Sequence, residues 1–195
     1  MPLDALCLTA VAGEVRAAVQ GGKIDKIYQP TRDEVVLYIR GPAGNVRLLL
    51  SANPGHPRAH LTERNRENPE QPPMFCMLLR KHLQGARILE LNQPPLERIL
   101  DFRLETLDEL GDRVERRLVL EAMGRSANLL LLDGEGRIVD CTRRVDGDLA
   151  RGQRQLLPGL FYRQPPAVDK LNPFTLSPEE LRLVLANPLG KAWDK

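Results

Sequence analysis

The sequence predicts an α+β domain, with roughly eight or more mostly antiparallel strands in a sandwich or flattened barrel flanked by two main helices. Two observations carry this. Short stretches of apolar, partly alternating residues recur at 34–40, 46–50, 87–91, 98–104 and 128–133, separated by clusters of Gly, Pro, Asn and Asp. Two stretches, 2–20 and 72–85, carry helix-length apolar patterns that end on glycine. Hydrophobic content of 42% and charged content of 28% are globular values. No segment is long and apolar enough to span a membrane, and the N-terminus lacks a signal pattern, so a cytosolic location is expected. Cys7, Cys76 and Cys141 are odd in number and far apart, which fits neither a zinc site nor a disulfide framework and points to a reducing compartment.

Taken in order, Asp4 can cap the first helix, with Leu6, Ala10, Val11, Ala18 and Val19 as its buried stripe and Gly21-Gly22 as its stop. A short strand over 23–28 is broken by Pro30. Residues 34–40 and 46–50 form a hairpin around a Gly-Pro-Ala-Gly-Asn loop, and 58–62 can add a further strand. A polar, proline-bearing loop, 64–73, leads to the helix around which the chain is organised. There Phe75, Leu79 and Leu83 recur every four residues, with Met74, Met77 and Leu78 making it apolar on nearly all sides, as in a buried helix. Arg80, Lys81 and His82 close it, where cations suit the dipole, and the first two can emerge at the rim to meet an anion. Strands follow at 87–91, 98–104, 114–123, 128–133 and 137–142, with a tight corner at 124–127 and a hairpin turn at 134–136. Pro165-Pro166 marks a domain boundary. Beyond it Ser177-Pro178-Glu179-Glu180 opens a short capped helix, and 187–195 begins an element that is not completed.

The charge is uneven. All but six of the 28 basic residues are arginine, the side chain suited to forked contacts with phosphate and carboxylate, a bias that codon usage also produces. Arg40, Arg47, Arg58, Arg64 and Arg66 face only Glu63 within 40–66, while acids dominate 97–121. No nucleophile elbow, phosphate loop, metal-ligand spacing or carboxylate dyad is present, so no metal or cofactor is expected. Pro2, exposed by loss of Met1, could serve as a Schiff-base amine, although a proline ahead of a helix cap is the ordinary explanation. Glu97-Arg98 at a strand start and Gly124-Arg125-Ser126 at a corner can reach a loop-built surface, or can be solvated charges and a plain turn.

Several motifs go further. Pro-Pro-Met-Phe-Cys-Met-Leu-Leu-Arg-Lys-His-Leu at 72–83 resembles the signature of the NFACT-N domain. So do Lys26-Ile27-Tyr28-Gln29-Pro30, Leu48-Leu49-Leu50-Ser51-Ala52, Glu121-Ala122-Met123-Gly124-Arg125, and Leu157-Pro158-Gly159 followed by Tyr162. The resemblance covers residues 1–166 and is to the NFACT (RqcH/NEMF) family of ribosome-associated quality control factors, also known as fibronectin-binding proteins. It implies a fold like the N-terminal domain of formamidopyrimidine-DNA glycosylases, with 167–195 as a linker and the opening of a helix-hairpin-helix domain. It also implies binding to an obstructed large ribosomal subunit holding peptidyl-tRNA, and recruitment of tRNA, alanyl-tRNA in bacteria, for mRNA-independent C-terminal tailing of the stalled chain. Peptide-bond chemistry would then be the ribosome's, with no cofactor, membrane or small-molecule substrate. The family's Asp-Arg pair falls on Glu97-Arg98, where glutamate places the carboxylate one methylene further out, and its early aspartate falls on Asp4. With Arg125 these are the candidate tRNA-binding residues. A glycosylase or lyase acting through Pro2 is the enzymatic alternative, but Leu3 stands where those enzymes carry a catalytic glutamate. A surface fibronectin-binding adhesin is the third reading.

Overall fold

The computed structural model describes residues 4–147, 154–166, 172 and 175–186. The chain divides into two compact units, 1–165 and 166–195.

In the first unit the strands β1 (Lys23–Thr31), β2 (Glu34–Gly41), β3 (Gly44–Ser51), β4 (Arg58–Leu61), β5 (Arg87–Asn92), β6 (Ile99–Leu107), β7 (Arg113–Glu121), β8 (Asn128–Leu132) and β9 (Ile138–Cys141) form one antiparallel sheet. Its order is β4-β3-β2-β1-β5-β6-β7-β8-β9, so the sheet is open, with β4 and β9 at its edges. The helices α1 (Ala5–Val19) and α2 (Met74–Leu83) pack on it. The main core joins both halves: Ile24, Leu37 and Leu48 of the first and Ile88, Phe102 and Leu120 of the second belong to one cluster with Leu8 and Val15 of α1 and Leu79 of α2. This is the mostly antiparallel α+β architecture that the alternation predicts, realised as one open nine-stranded sheet.

The join between the halves is short. β1 and β5 share one register pair, Lys23 with Arg87, flanked by backbone bonds between residues 21–24 and 85–88. Beyond it the two strands diverge and α2 occupies the gap. There the carbonyl of Ile27 accepts a hydrogen bond from Arg80 Nε (2.8 Å) and a long contact from Cys76 Sγ (3.8 Å). Arg80 also lies over the Tyr28 ring, 5.4 Å from its centroid. Arg80 is therefore half-buried and structural rather than free at the rim, because a backbone carbonyl on the side of β1 that β5 leaves uncovered must be satisfied by something. Lys81 is exposed but paired with Glu109 at 2.8 Å.

β7 and β8 have apolar cover on both faces. Leu118, Leu120, Leu129 and Leu131 face the main core, while Val119, Leu130 and Leu132 join Ile99, Ile138, Cys141 and Leu156 in a second cluster. That is why all five residues of β8 are buried. The segment 154–162 forms the outer cover. Arg154 and Tyr162 both bond the buried carboxylate of Glu121, Tyr162 at 2.8 Å, and burial with this acid pushes the Tyr162 hydroxyl far above its ordinary pKa. Burial likewise raises the Cys141 thiol to about 11.

Three details differ from the sequence reading. The buried stripe of α1 is Leu8, Ala12, Val15 and Val19, which share one face at 4-3-4 spacing and carry the larger side chains, leaving Leu6 and Ala10 exposed. β1 runs through Pro30 to Thr31, since the edge it turns away from β2 has no strand partner there to need the missing N–H. In α2, Phe75, Cys76, Leu79 and Leu83 are buried, but Met74 and Met77 are 70% and 53% exposed. Apolar residues on all sides of a ten-residue helix did not bury all of it, because α2 fills a gap rather than crossing the core. α1 ends against β2 at Gly41, where an added Cβ would stand 2.2 Å from the Ala18 carbonyl, so no larger residue fits without movement.

In the second unit, α3 (Pro178–Ala186) opens with a reciprocal capping box. Ser177 Oγ accepts from the Glu180 N–H (3.2 Å), and Glu180 Oε2 accepts from the Ser177 N–H (2.8 Å).

Candidate nucleic-acid interface

Asp4 caps α1: its carboxylate accepts the Cys7 backbone N–H at 2.7 Å. That bond, with a further contribution from the positive charge of Arg98, holds the Asp4 carboxyl below its ordinary value. Across the same contact the Asp4 carboxylate raises the exposed Cys7 thiol. Asp4 is therefore both a cap and a negative charge at the start of the first helix.

The Glu97-Arg98 pair stands on the loop ahead of β6. The loop turns through Leu96, which has φ of 57°, the only non-glycine positive φ among the described residues. The Glu97 N–H donates to the Pro94 carbonyl at 3.0 Å. Gln93 Nε2 donates to two carbonyls, Glu97 at 2.9 Å and Ala5 at 3.2 Å. One side chain thus ties the loop to the first turn of α1 and brings Arg98 within electrostatic reach of Asp4.

Arg125 lies on the next connection. The Arg98 carbonyl accepts the Ala122 N–H at 2.7 Å, and two residues later the chain enters a 3-10 turn, Gly124–Ser126. Gly124 has φ of 53°, which a glycine adopts without strain. Arg143 Nη1 donates to the Arg125 carbonyl at 2.8 Å. Buried Asn128 pins residue 143 from below, its Oδ1 accepting the Arg143 N–H (3.0 Å) and its Nδ2 donating to the Arg143 carbonyl (2.7 Å). Among the described residues, no hydrogen bond is donated by the Arg98 or Arg125 guanidinium.

Asp4, Glu97 and Arg98 are thus brought together by Gln93, and Arg125 is reached through the Arg98–Ala122 backbone bond. Sequence reasoning missed Gln93, Leu96 and Arg143. A glutamine and a leucine carry no charge signal, and Arg143 was one of many arginines. Pro2 lies outside the described residues.

The basic stretch 40–66 resolves differently. Arg40 pairs with Asp25 at 2.8 Å, and Arg58 and Arg66 both pair with buried Glu34, at 2.8 and 2.9 Å. Arg47 lies 5.0 Å over the Tyr38 ring and bonds the Glu63 carbonyl and Asn65. His60 Nδ1 lies 3.1 Å from the Leu61 carbonyl.

With this geometry, the chain matches the model of the NFACT N-terminal and middle domains over residues 4–193 and belongs to that family. It is 39% identical over 182 residues to the Rqc2 homolog RqcH of Bacillus subtilis, covering 93% of this chain and 32% of that protein. The Rqc2 homolog RqcH of Streptococcus suis is 40% identical over 187 residues, covering 95% of this chain and 34% of its own length. Human ribosome quality control complex subunit NEMF is 28% identical over 136 residues, 70% of this chain and 12% of that protein. The chain thus spans about a third of the length of the bacterial relatives. Among solved structures, the N-terminal domain of fibronectin-binding protein PavA from Streptococcus pneumoniae matches with a TM-score of 0.87 at 38% identity, over 96% of this chain and 70% of that one. The N-terminal part of the fibronectin/fibrinogen-binding protein of Streptococcus suis matches at 0.86 and 39%, over 94% and 69%. Among the described residues no helix is long and apolar enough to cross a membrane.

Proposed function

We propose that this chain is the tRNA-holding N-terminal part of a ribosome-associated quality control factor. The full protein would bind an obstructed large ribosomal subunit in the cytoplasm and recruit alanyl-tRNA for C-terminal tailing of the stalled chain. In this reading residues 1–166 are the NFACT-N domain, and 167–195 lead into the helix-hairpin-helix domain. The observation that carries it is the gathering of Asp4, Glu97 and Arg98 by Gln93, with Arg125 on the adjoining turn. Family membership supports it, and relatives named for ribosome quality control supply the biological setting.

The chemistry is recognition without bond making. Arg98 and Arg125 offer planar, forked donors to phosphate oxygens. Asp4 and Glu97 offer acceptors to ribose hydroxyls or base amino groups in an exposed loop of the anticodon arm. Two carboxylates beside two guanidinia keep the surface from binding every polyanion equally, because an acid facing a phosphate is repelled. Peptide transfer belongs to the ribosome.

The test is binding of this chain to tRNA-Ala, other tRNAs and DNA carrying abasic sites across a salt series, with Arg98→Ala alongside. Salt-sensitive tRNA binding that drops in Arg98→Ala is expected. Equal, Arg98-independent binding to all polyanions contradicts the proposal, as does borohydride trapping on abasic DNA. The printed names of the structural relatives make fibronectin the competing partner. Fibronectin binding that survives loss of Arg98 while tRNA binding is absent would favour that reading.

A further inference from the structure

We infer that Gln93 is the positioning residue of the proposed tRNA surface, setting the loop that carries Glu97 and Arg98 against the capped start of α1. The inference rests on the tRNA reading of that surface and adds a residue that makes no RNA contact itself. Both partners of its Nε2 are carbonyl oxygens, Ala5 at 3.2 Å and Glu97 at 2.9 Å, so the amide orientation follows from the geometry. These two carbonyls lie 92 residues apart in the chain, and the Gln93 amide group bridges them with a single nitrogen.

The loop needs such a tie. Leu96 sits at φ 57°, a conformation that is strained for a bulky, non-glycine residue and persists only when neighbours enforce it. The enforcement comes from both sides. On the α1 side it is the Gln93 bond to the Glu97 carbonyl; on the sheet side it is the Ala122 N–H on the Arg98 carbonyl at 2.7 Å. With both ends of the Glu97-Arg98 peptide held, the Arg98 side chain leaves a fixed backbone. A guanidinium leaving a fixed backbone loses less freedom on meeting phosphate than one on a mobile loop.

The experiment uses Gln93→Met, which keeps the shape, removes the donor and adds no charge that could itself repel RNA. Four quantities are read on this chain: tRNA affinity at one salt concentration, affinity of the Gln93→Met/Arg98→Ala double variant, amide exchange at Glu97, and melting temperature. The expected result is an affinity loss of about fivefold from Gln93→Met, the net worth of a hydrogen-bonded tie. The double variant should bind like Arg98→Ala alone, because Gln93 acts through Arg98. Glu97 exchange should quicken while the melting temperature stays within about 2 °C, since a half-buried loop bond contributes little to global stability. Parental affinity in Gln93→Met with Arg98 dependence intact would overturn the positioning role alone, as would losses that multiply in the double variant. An Arg98→Ala variant that binds tRNA like the parent would instead overturn the interface reading, and the positioning role with it.

Discussion

Two arginine-bearing regions of this domain look alike in sequence and differ in what they offer. The stretch 40–66 holds five arginines against one acid. In the folded chain four of the five are engaged, Arg58 and Arg66 by Glu34, Arg40 by Asp25, and Arg47 by Tyr38, Glu63 and Asn65, while no hydrogen bond from the exposed Arg64 guanidinium is found among the described residues. The loop 93–98 and the turn 124–126 hold one arginine each, and no hydrogen bond from either guanidinium is found among the described residues. Charge counted along a chain is therefore a poor guide to charge available to a ligand. Partners from other strands, invisible in a local window, decide which guanidinia are engaged.

The largest effect expected from this contrast is on stability. Glu34→Ala removes the buried acid shared by two partly exposed guanidinia, and unfolding in urea should show a loss of roughly 2 kcal/mol. At temperatures where the variant stays folded, its tRNA affinity should match the parent. The next effect is on binding: Arg98→Ala should weaken tRNA by about tenfold or more, with stability changed by less than about 0.5 kcal/mol. Arg125→Ala should weaken all tRNAs by a few fold and lower the slope of log affinity against log salt by about one, as expected for one phosphate contact.

Cys7 gives a chemical view of the same surface. It is the one exposed cysteine, with Cys76 and Cys141 buried, and its thiol is raised by the Asp4 carboxylate beside it. Bound tRNA should protect it from iodoacetamide. Without RNA, Asp4→Asn should speed its alkylation near pH 8, because removing the negative charge favours the thiolate. The smallest effect is on acid stability. Asp4 has a folded pKa below 3.8, so its contribution is complete above that value and is lost as pH falls through the folded one. Asp4→Asn keeps a capping oxygen and should flatten that part of the acid profile, a modest change for an exposed group.

The strand and helix order was legible in the sequence, because periodicity and Gly/Pro punctuation are local signals. The Asp4 cap was legible for the same reason and is seen directly. The phase of α1 was not, since small apolar residues on two sides of a helix leave the buried face ambiguous. Arg80 was expected at a rim and serves a backbone carbonyl instead. Nothing local announces that β1 and β5 part after one register pair and leave Ile27, paired with Leu37 of β2, without a partner on its β5 side. Gln93 was missed altogether, because its role depends on two carbonyls in distant segments.

The central claim is that the Arg98 corner, and not the arginine-rich stretch, meets tRNA. Its most direct measurement is tRNA affinity over a salt series for the parent, Arg98→Ala and Arg40→Ala. Arg40 is the contrast of choice because it is exposed and its ion pair with Asp25 is solvent-screened, so its loss should leave the fold intact. The account predicts a tenfold or greater loss in Arg98→Ala with a shallower salt slope, and parental behaviour in Arg40→Ala. Equal losses in the two variants, or a larger loss in Arg40→Ala, would contradict it.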